Sequence, residues 1–275
     1  MEDIDGNDHA AIGRLSSMSL MAAVAASGCL DEVTKRAFVK EVERVSQDPI
    51  YWVRQEACFA LGALAKVVPE ELVLLTLMPL LSNVVSDPAY QVRHSSLYAL
   101  PPILSRLSPK KRRELALDIL VPMSMDESPE VRSGVLEALG EVIYTFHSEH
   151  PPSDGDDLPP KQLLRMFLGR TEDRRVLDCH QSQSLIEKEW IKGDVISRTA
   201  ALQVFYEDST RPLICAFNMP AVALTLGRSR WSSELREAYI SLADSNVFGV
   251  KRTLAASLGE MAKRKVLNTH EKTNG

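Results

Sequence analysis

The sequence predicts an all-α fold, a superhelical solenoid in which one helical hairpin is repeated along the chain. Aspartates recur at one constant step, at Asp48, Asp87 and Asp126. Each is followed six residues later by an arginine, at Arg54, Arg93 and Arg132. Apolar residues then recur on one helix face, in the first copy at Val53, Ala57, Ala60, Leu61 and Leu64. We call the separation of Asp48 from Asp87 the repeat step. A helical pattern that recurs at a constant step indicates a solenoid, in which the stacked copies share one continuous core.

Each copy consists of two predicted helices joined by a turn. The first helices are predicted in "TKRAFVKEVERV", "PEELVLLTLMPLLSNVV" and "SPKKRRELALDILVPM". An Asp-Pro or Ser-Pro pair makes the turn, and we expect the proline in the first turn of the second helix, where its missing N–H is not needed. A hairpin of about 40 residues is typical of HEAT and armadillo repeats.

The regularity of the repeat divides the chain into five segments. Residues 1–30 are interpreted as an N-terminal tail and a leading helix, and residues 31–147 as three regular HEAT repeats. Residues 148–193 hold an acidic, proline-rich insertion and a degraded repeat. Residues 194–262 carry further HEAT-like repeats, and residues 263–275 are expected to be a disordered tail.

Two later copies follow the insertion. The stretch "VKRTLAASLGEMA" begins at Val250 and places Gly259 nine residues on, as Gly62 follows Val53 in the first copy. A weaker copy, "RPLICAFNMPAVALTLG", begins at Arg211. Helices are also predicted in "KQLLRMFL" and "DVISRTAALQVFY", whereas the copy expected near position 171 is not legible.

The sequence after the last predicted helix contains no further helical pattern that could cover the apolar face of that helix. Its apolar face includes Leu254, Leu258 and Met261, and a polar stretch without helical pattern comes next. Solenoids usually finish with a polar-faced capping repeat. Unless another element covers them, these three side chains would be exposed, so we expect the chain to be a fragment of a longer array or the product of a truncated gene model.

The recurring aspartates and arginines are interpreted as structural. Each arginine can bond back to the turn of its own unit or to the aspartate of an adjacent unit, which gives a polar ladder along the turns. The predicted ladder consists of Asp48, Arg54, Asp87, Arg93, Asp126 and Arg132. Contact with a partner is the alternative role for these arginines.

No catalytic constellation is present in the sequence. It has no phosphate-binding loop, dinucleotide fingerprint, zinc-protease helix or nucleophile elbow. His147 and His150 have the spacing of a metal pair, and Cys179 precedes His180, but both pairs lie in polar surface stretches. We therefore expect a protein that is not an enzyme and that holds no cofactor and no metal.

Charge and cysteine usage restrict the class of partner. The net charge of -5 argues against nucleic acid, whose binding depends on basic residues that neutralise phosphate. The apolar stretch Leu20–Leu30 is too short to span a bilayer, so no membrane partner is expected. The scattered cysteines are typical of a reducing compartment, either cytoplasm or nucleus. The basic stretch "PKKRRE" is either a solvated helix start or a site for an acidic partner or nuclear import.

The repeats resemble a known family. The stretches "DPIYWVRQEACFALGALAKVVP", "DPAYQVRHSSLYALPPILSRLSP" and "DESPEVRSGVLEALGEVIYTFH" look like HEAT repeats of protein phosphatase regulatory subunits. The later copies resemble the fungal relatives of protein phosphatase 4 regulatory subunit 1, and the protein phosphatase 2A scaffold subunit is a more distant likeness. The resemblance covers residues 38–262.

This resemblance implies a non-catalytic regulatory or scaffold subunit. Such a subunit would bind a Ser/Thr protein phosphatase catalytic subunit, of type 4 or 2A-like, and direct its substrate choice. The alternative is an importin- or condensin-like HEAT adaptor for transport or complex assembly, because fold alone does not decide function. Aromatic residues are enriched at binding hot spots. The candidate partner contacts are therefore the turn residues Tyr51, Trp52, Tyr90 and Gln91.

Overall fold

The structure is a computed structural model that describes residues 3–148, 157–169 and 202–263. Every regular element in these three ranges is helical, and the helices of the first range form the hairpins predicted from the sequence. The predicted all-α, helical-repeat fold class is therefore confirmed. The chain divides into two compact units, Met1–Ala138 and Leu139–Gly275. Within the described ranges, none of the helices combines the length and the apolar character that a membrane span needs.

The first unit contains a leading helix followed by paired helices. They are α1 (Asp3–Ala26), α2 (Glu32–Val45), α3 (Tyr51–Ala65), α4 (Glu70–Leu72, a π-helical turn Val73–Leu77, then Met78–Val84), α5 (Tyr90–Leu104), α6 (Pro109–Met123) and α7 (Pro129–Tyr144). The predicted first helices of the hairpins are α2, α4 and α6. The predicted second helices are α3, α5 and α7, of which α7 runs past the boundary of the unit.

The core of the first unit forms where second helices stack on one another. Helix α3 packs against both α1 and α5, so α1 occupies the place of a preceding second helix. The apolar face predicted for α3 is buried, with at most 1% exposure at Val53, Ala57, Ala60, Leu61 and Leu64. Removal of this face from water is the main force that holds neighbouring hairpins together.

The prolines of the turns do not all lie in the first turn of a helix. Helix α3 begins at Tyr51 and α5 at Tyr90, so Pro49 and Pro88 precede their helices by two residues. Pro129 is the first residue of α7, as predicted. The prediction is wrong for the Asp-Pro turns, because the aspartate accepts the N–H two residues later and the proline occupies the skipped position.

The second unit is built around a central helix. Its helices are α8 (Lys161–Leu168), α9 (Arg211–Leu226), α10 (Arg228–Arg230, a π-helical turn Trp231–Leu235, then Arg236–Ala243) and α11 (Phe248–Lys263), and residues 202–206 are helical as well. Helix α9 packs against α8, α10 and α11. The helix predicted in "KQLLRMFL" is α8, and the copies predicted from Arg211 and Val250 correspond to α9 and α11.

The last helix is less exposed than the sequence suggests. Leu254 is 3% exposed and Met261 is 1% exposed, whereas Leu258 is 40% exposed. The expectation of exposure is therefore wrong for Leu254 and Met261. The physical reason is that α11 packs along α9 and α10, which cover part of its apolar face.

Several predicted features lie outside the described residues. They are the 149–156 part of the acidic loop with His150, the degraded repeat within 170–201 with Cys179 and His180, the 194–201 part of a predicted helix, and the tail from residue 264 onward.

The close approach of α3 and α5 predicts different outcomes for two equivalent glycines. A Cβ added at Gly62 would lie 3.1 Å from Cα of Ala99 and 3.3 Å from the carbonyl oxygen of Tyr98, both of which are backbone atoms. Nothing lies within 4 Å of a Cβ added at Gly259. We expect Gly62→Leu to lower the free energy of unfolding by about 1–3 kcal/mol, because the helices must separate. Urea unfolding followed by circular dichroism measures it.

Gly259→Leu is the matched control, since it makes the same change at the equivalent position in open space. It should leave the stability equal or raise it by about 0.5–1 kcal/mol, because leucine favours helix over glycine. Equal losses at the two positions would contradict the close packing at Gly62.

Candidate functional site

The ladder aspartates organise the turns before the second helices. In each turn one carboxylate oxygen accepts a hydrogen bond from the backbone N–H two residues later. The N–H donors are at Ile50 for Asp48 (3.0 Å), Ala89 for Asp87 (2.8 Å) and Ser128 for Asp126 (2.9 Å). Asx turns of this kind fix the direction in which the chain enters the helix.

Each ladder arginine binds the turn of its own unit through one guanidinium nitrogen. Nη1 of Arg54 donates to the carbonyl oxygens of Asp48 (2.8 Å) and Pro49 (3.2 Å). The equivalent bonds join Arg93 to Asp87 (2.9 Å) and Pro88 (3.2 Å), and Arg132 to Asp126 (2.7 Å) and Glu127 (3.0 Å). The guanidinium thereby satisfies carbonyl groups that the turn leaves without a backbone partner.

The opposite edge of the guanidinium reaches the aspartate of the next unit. Arg54 donates from Nε to Oδ2 of Asp87 (2.7 Å) and from Nη2 to its Oδ1 (2.8 Å). Arg93 holds Asp126 in the same way, with both distances at 2.8 Å. The sequence left open whether each arginine binds its own turn or the aspartate of an adjacent unit, and Arg54 and Arg93 do both. This is possible because the planar guanidinium carries N–H donors on two opposite edges.

A further arginine joins the ladder from α1. Arg14 donates from Nε to Oδ2 of Asp48 at 2.6 Å and from Nη2 to its Oδ1 at 3.4 Å. Arg14 precedes Arg54 by one residue more than the repeat step, and Asp8 lies six residues before Arg14, which is the ladder spacing. The sequence therefore contains the spacing that identifies a ladder arginine. The predicted ladder omits Arg14 because Asp8 lies inside a helix without an Asp-Pro turn, and because glycine replaces the valine that precedes the other arginines.

The ladder pairs are largely removed from water. The side chains of Arg54 and Asp87 are 13% and 7% exposed, and those of Arg93 and Asp126 are similar. Hydrogen bonds to these aspartates are the main cause that raises the pKa of Arg54 and of Arg93 above the ordinary arginine value. A raised pKa means that both arginines stay charged until the pH exceeds that value. The ladder is therefore a fixed structural feature and not an acid–base device.

Arg132 is the member at which the pattern changes. Its Nη1 holds its own turn as in the other units, but its Nε is buried without a hydrogen-bond partner. Among the described residues none supplies a carboxylate to this edge. The sequence spacing alone gave no sign of this difference.

The candidate partner contacts lie at the starts of the second helices. Tyr51 and Tyr90 are the first residues of α3 and α5, with 41% and 39% of their surfaces exposed. Trp52 and Gln91 follow them and are half-buried. The two tyrosines thus have the accessible surface that a contact needs, and a role in binding stays a prediction for all four residues.

A second aromatic pair was not predicted from the sequence. The rings of Phe59 on α3 and Tyr98 on α5 lie 5.4 Å apart, and both side chains are exposed. His94 meets the Tyr98 ring edge-on at 5.8 Å. Phe59 and Tyr98 are separated by one repeat step. A search for that step among positions outside the core would have found them.

The thiols of Cys58 and Cys215 are buried, whereas Cys29 is free and exposed. Burial raises the pKa of the Cys58 and Cys215 thiols to about 12, so both are protonated at neutral pH. Within the described ranges no cluster of three or more His, Cys, Asp and Glu side chains could hold a metal ion. His147 stacks on the ring of Tyr144 at a centroid distance of 5.3 Å.

Comparison with known proteins relates the chain to a regulatory protein. No family model matches it. Serine/threonine-protein phosphatase 4 regulatory subunit 1 of Homo sapiens is 27% identical over 140 residues, which are 51% of this chain and 13% of that protein. The same subunit of Mus musculus is 52% identical over 48 residues, or 18% of this chain and 5% of the relative. These partial similarities support a relationship to a phosphatase regulatory subunit, and the chain spans a small fraction of the relatives' length.

A solved structure of an engineered protein also aligns with the chain. It covers 91% of this chain and 90% of its own length, with a TM-score of 0.41 and 13% sequence identity.

A double-mutant cycle on Arg54 and Asp87 tests the ladder. We expect Asp87→Ala to lower the free energy of unfolding by about 3 kcal/mol, because it leaves a largely buried guanidinium without its carboxylate. Combining it with Arg54→Met should recover part of the loss. Urea unfolding of the single and double variants measures both effects.

The control is the pair of Lys35 and Glu32, whose Nζ and Oε1 atoms are 2.7 Å apart and in which the Glu32 side chain is 59% exposed. Glu32→Ala should change the stability by at most about 0.5 kcal/mol. Purely additive losses at Arg54 and Asp87 would contradict the pairing.

Proposed function

We propose that this chain is a non-catalytic HEAT-repeat regulatory or scaffold element that binds a Ser/Thr protein phosphatase catalytic subunit, of type 4 or 2A-like, and directs its substrate choice. The observation that carries this proposal is the similarity to protein phosphatase 4 regulatory subunit 1 over 140 residues. A shorter stretch of 48 residues reaches 52% identity with the mouse protein. The likeness to fungal relatives and to the 2A scaffold, and a place in the cytoplasm or nucleus, belong to the same proposal.

The surface of the first unit suits a binding role. Tyr51 and Tyr90 project from the starts of α3 and α5, three residues after Asp48 and Asp87. Because the ladder fixes those turns, the backbone positions of the two tyrosines have a defined separation before any partner binds. Rigid aromatic anchors bind at a low cost in conformational entropy.

In this proposal the phosphatase catalytic subunit carries out the reaction, and this chain supplies a binding surface. Cys58 and Cys215 are buried with raised pKa values, and the ladder arginines act on turns of this chain. What the first unit offers is a repeated, exposed surface that includes the tyrosines and the pair of Phe59 and Tyr98. An array of this kind provides a large contact area, on which a partner's specificity can depend.

Binding of the purified chain to purified catalytic subunits tests the proposal. We expect biolayer interferometry to detect association with the catalytic subunit of protein phosphatase 4 or 2A and a much weaker signal with an unrelated Ser/Thr phosphatase. In affinity purification, recovery of a small GTPase or transport cargo instead of a phosphatase would favour the adaptor alternative. Absence of binding to both phosphatases would contradict the proposal.

Substitution of the two tyrosines tests the contact site. Tyr51→Ala combined with Tyr90→Ala should weaken the phosphatase complex about tenfold or more, since exposed aromatic anchors contribute more than about 1 kcal/mol at hot spots. Leu75→Ala is the matched control, because Leu75 is a large side chain, 69% exposed, on α4. It should change the affinity by less than about twofold. Equal effects of the double tyrosine variant and of Leu75→Ala on the affinity would show that the tyrosines are not part of the contact site.

A further inference from the structure

Arg132 is held in the orientation of the other ladder arginines. Its Nη1 donates to the carbonyl oxygens of Asp126 at 2.7 Å and Glu127 at 3.0 Å, as Nη1 of Arg93 does to the preceding turn. A guanidinium group is planar, so this grip also fixes where Nε and Nη2 point. The opposite edge of Arg132 is therefore already arranged for a bidentate acceptor.

That opposite edge has no acceptor among the residues that the structure describes. In Arg54 and Arg93 the same two nitrogens each hold an aspartate, with Nε to Oδ2 distances of 2.7 and 2.8 Å. In Arg132 the Nε is buried and makes no hydrogen bond. One repeat step after Asp126 the sequence has Arg165, a cation that cannot accept the bond.

A buried, charged donor without a partner is unfavourable, because it has lost its hydrogen bonds to water and no hydrogen bond within the protein replaces them. An oxyanion that binds both nitrogens would remove this penalty through two charge-assisted hydrogen bonds. Since the guanidinium is fixed by its own turn, little side-chain entropy is lost when the oxyanion arrives.

We propose that the Nε and Nη2 edge of Arg132 is a docking site for the carboxylate of an aspartate that a protein partner presents in a turn. The acceptors at the other steps, Asp48, Asp87 and Asp126, are all aspartates in Asx turns. Arg132 would bind the partner's turn as an additional step of the ladder. This inference does not depend on the phosphatase proposal, because it follows from the ladder alone.

The surroundings favour a carboxylate over a phosphate. Glu127 provides one of the carbonyls that hold Arg132, and its side chain is 89% exposed. Glu130 lies close enough that the charge of Arg132 helps to lower its pKa, after the larger effect of a hydrogen bond from Ser128. Two neighbouring carboxylates repel a dianionic phosphate more strongly than a single negative charge.

Nitrogen-15 NMR of the arginine Nε–Hε groups of the full chain tests this site directly. The probe is the peptide acetyl-Ser-Asp-Pro-Ala-amide, which reproduces the turn at residues 86–89. We expect the Arg132 resonance, assigned by its loss in Arg132→Lys, to shift and saturate with the peptide while the Arg54 resonance stays fixed. The peptide with asparagine in place of aspartate should bind at least about tenfold more weakly, because it lacks the charge.

Arg252→Lys is the matched control, since it removes an exposed guanidinium elsewhere. It should leave the peptide affinity within about twofold of the original value, as surface changes away from a site usually do. Where Arg132→Lys unfolds, through-bond triple-resonance experiments on the unchanged chain assign the Arg132 resonance, and the comparison of the two peptides keeps the test decisive.

Three outcomes would overturn the proposal. In the first, the Nε–Hε resonance of Arg132 in the free chain already has the chemical shift of the carboxylate-bound Nε–Hε groups of Arg54 and Arg93, which means that the edge is occupied from within. In the second, its resonance does not move with the peptide. In the third, inorganic phosphate shifts the resonance at a lower concentration than the peptide does, which would assign the site to phosphate.

Discussion

The double grip of one arginine on two successive turns is the interaction on which the first unit depends. The guanidinium groups of Arg54 and Arg93 bind the carbonyls of their own turns with Nη1 and the aspartate of the next turn with Nε and Nη2. The aspartate in turn holds the N–H two residues later. A single planar group therefore fixes the start of its own helix and the distance to the next one. That constraint explains why aspartate and arginine recur together at the same repeat step.

Hydrophobic packing and the ladder make different contributions. The buried face of α3 between α1 and α5 supplies the driving force, but apolar contact alone tolerates sliding of one helix along another. The largely buried ion pairs repay their desolvation only in one geometry, so they are suited to select the register. The small residue at Gly62 adds a second constraint, because it lets α3 approach the backbone of α5. Together these features hold Tyr51 and Tyr90 in a repeated arrangement at the surface.

Much of this arrangement could be predicted from the sequence, for physical reasons. The hairpins and the core face of α3 were legible because burial imposes a helical period on residue type. Arg14 escaped notice because α1 lacks the Asp-Pro turn, although it holds Asp48 through the same atoms. The burial of Leu254 and Met261 depends on packing against α9 and α10, which a linear pattern does not contain. The Nε of Arg132 lacks a hydrogen bond because no described residue places an acceptor opposite it. Spacing along the sequence does not show which group lies opposite a side chain.

Native-state hydrogen exchange at the amides of Ile50, Ala89 and Ser128 tests most directly whether the ladder organises the first unit. These amides lie in turns before the helices, and their acceptors are the ladder aspartates. The account predicts that they exchange as slowly as core amides of α3, through opening of the whole unit. Exchange at the rate of an exposed turn, while the α3 amides stay protected, would contradict it.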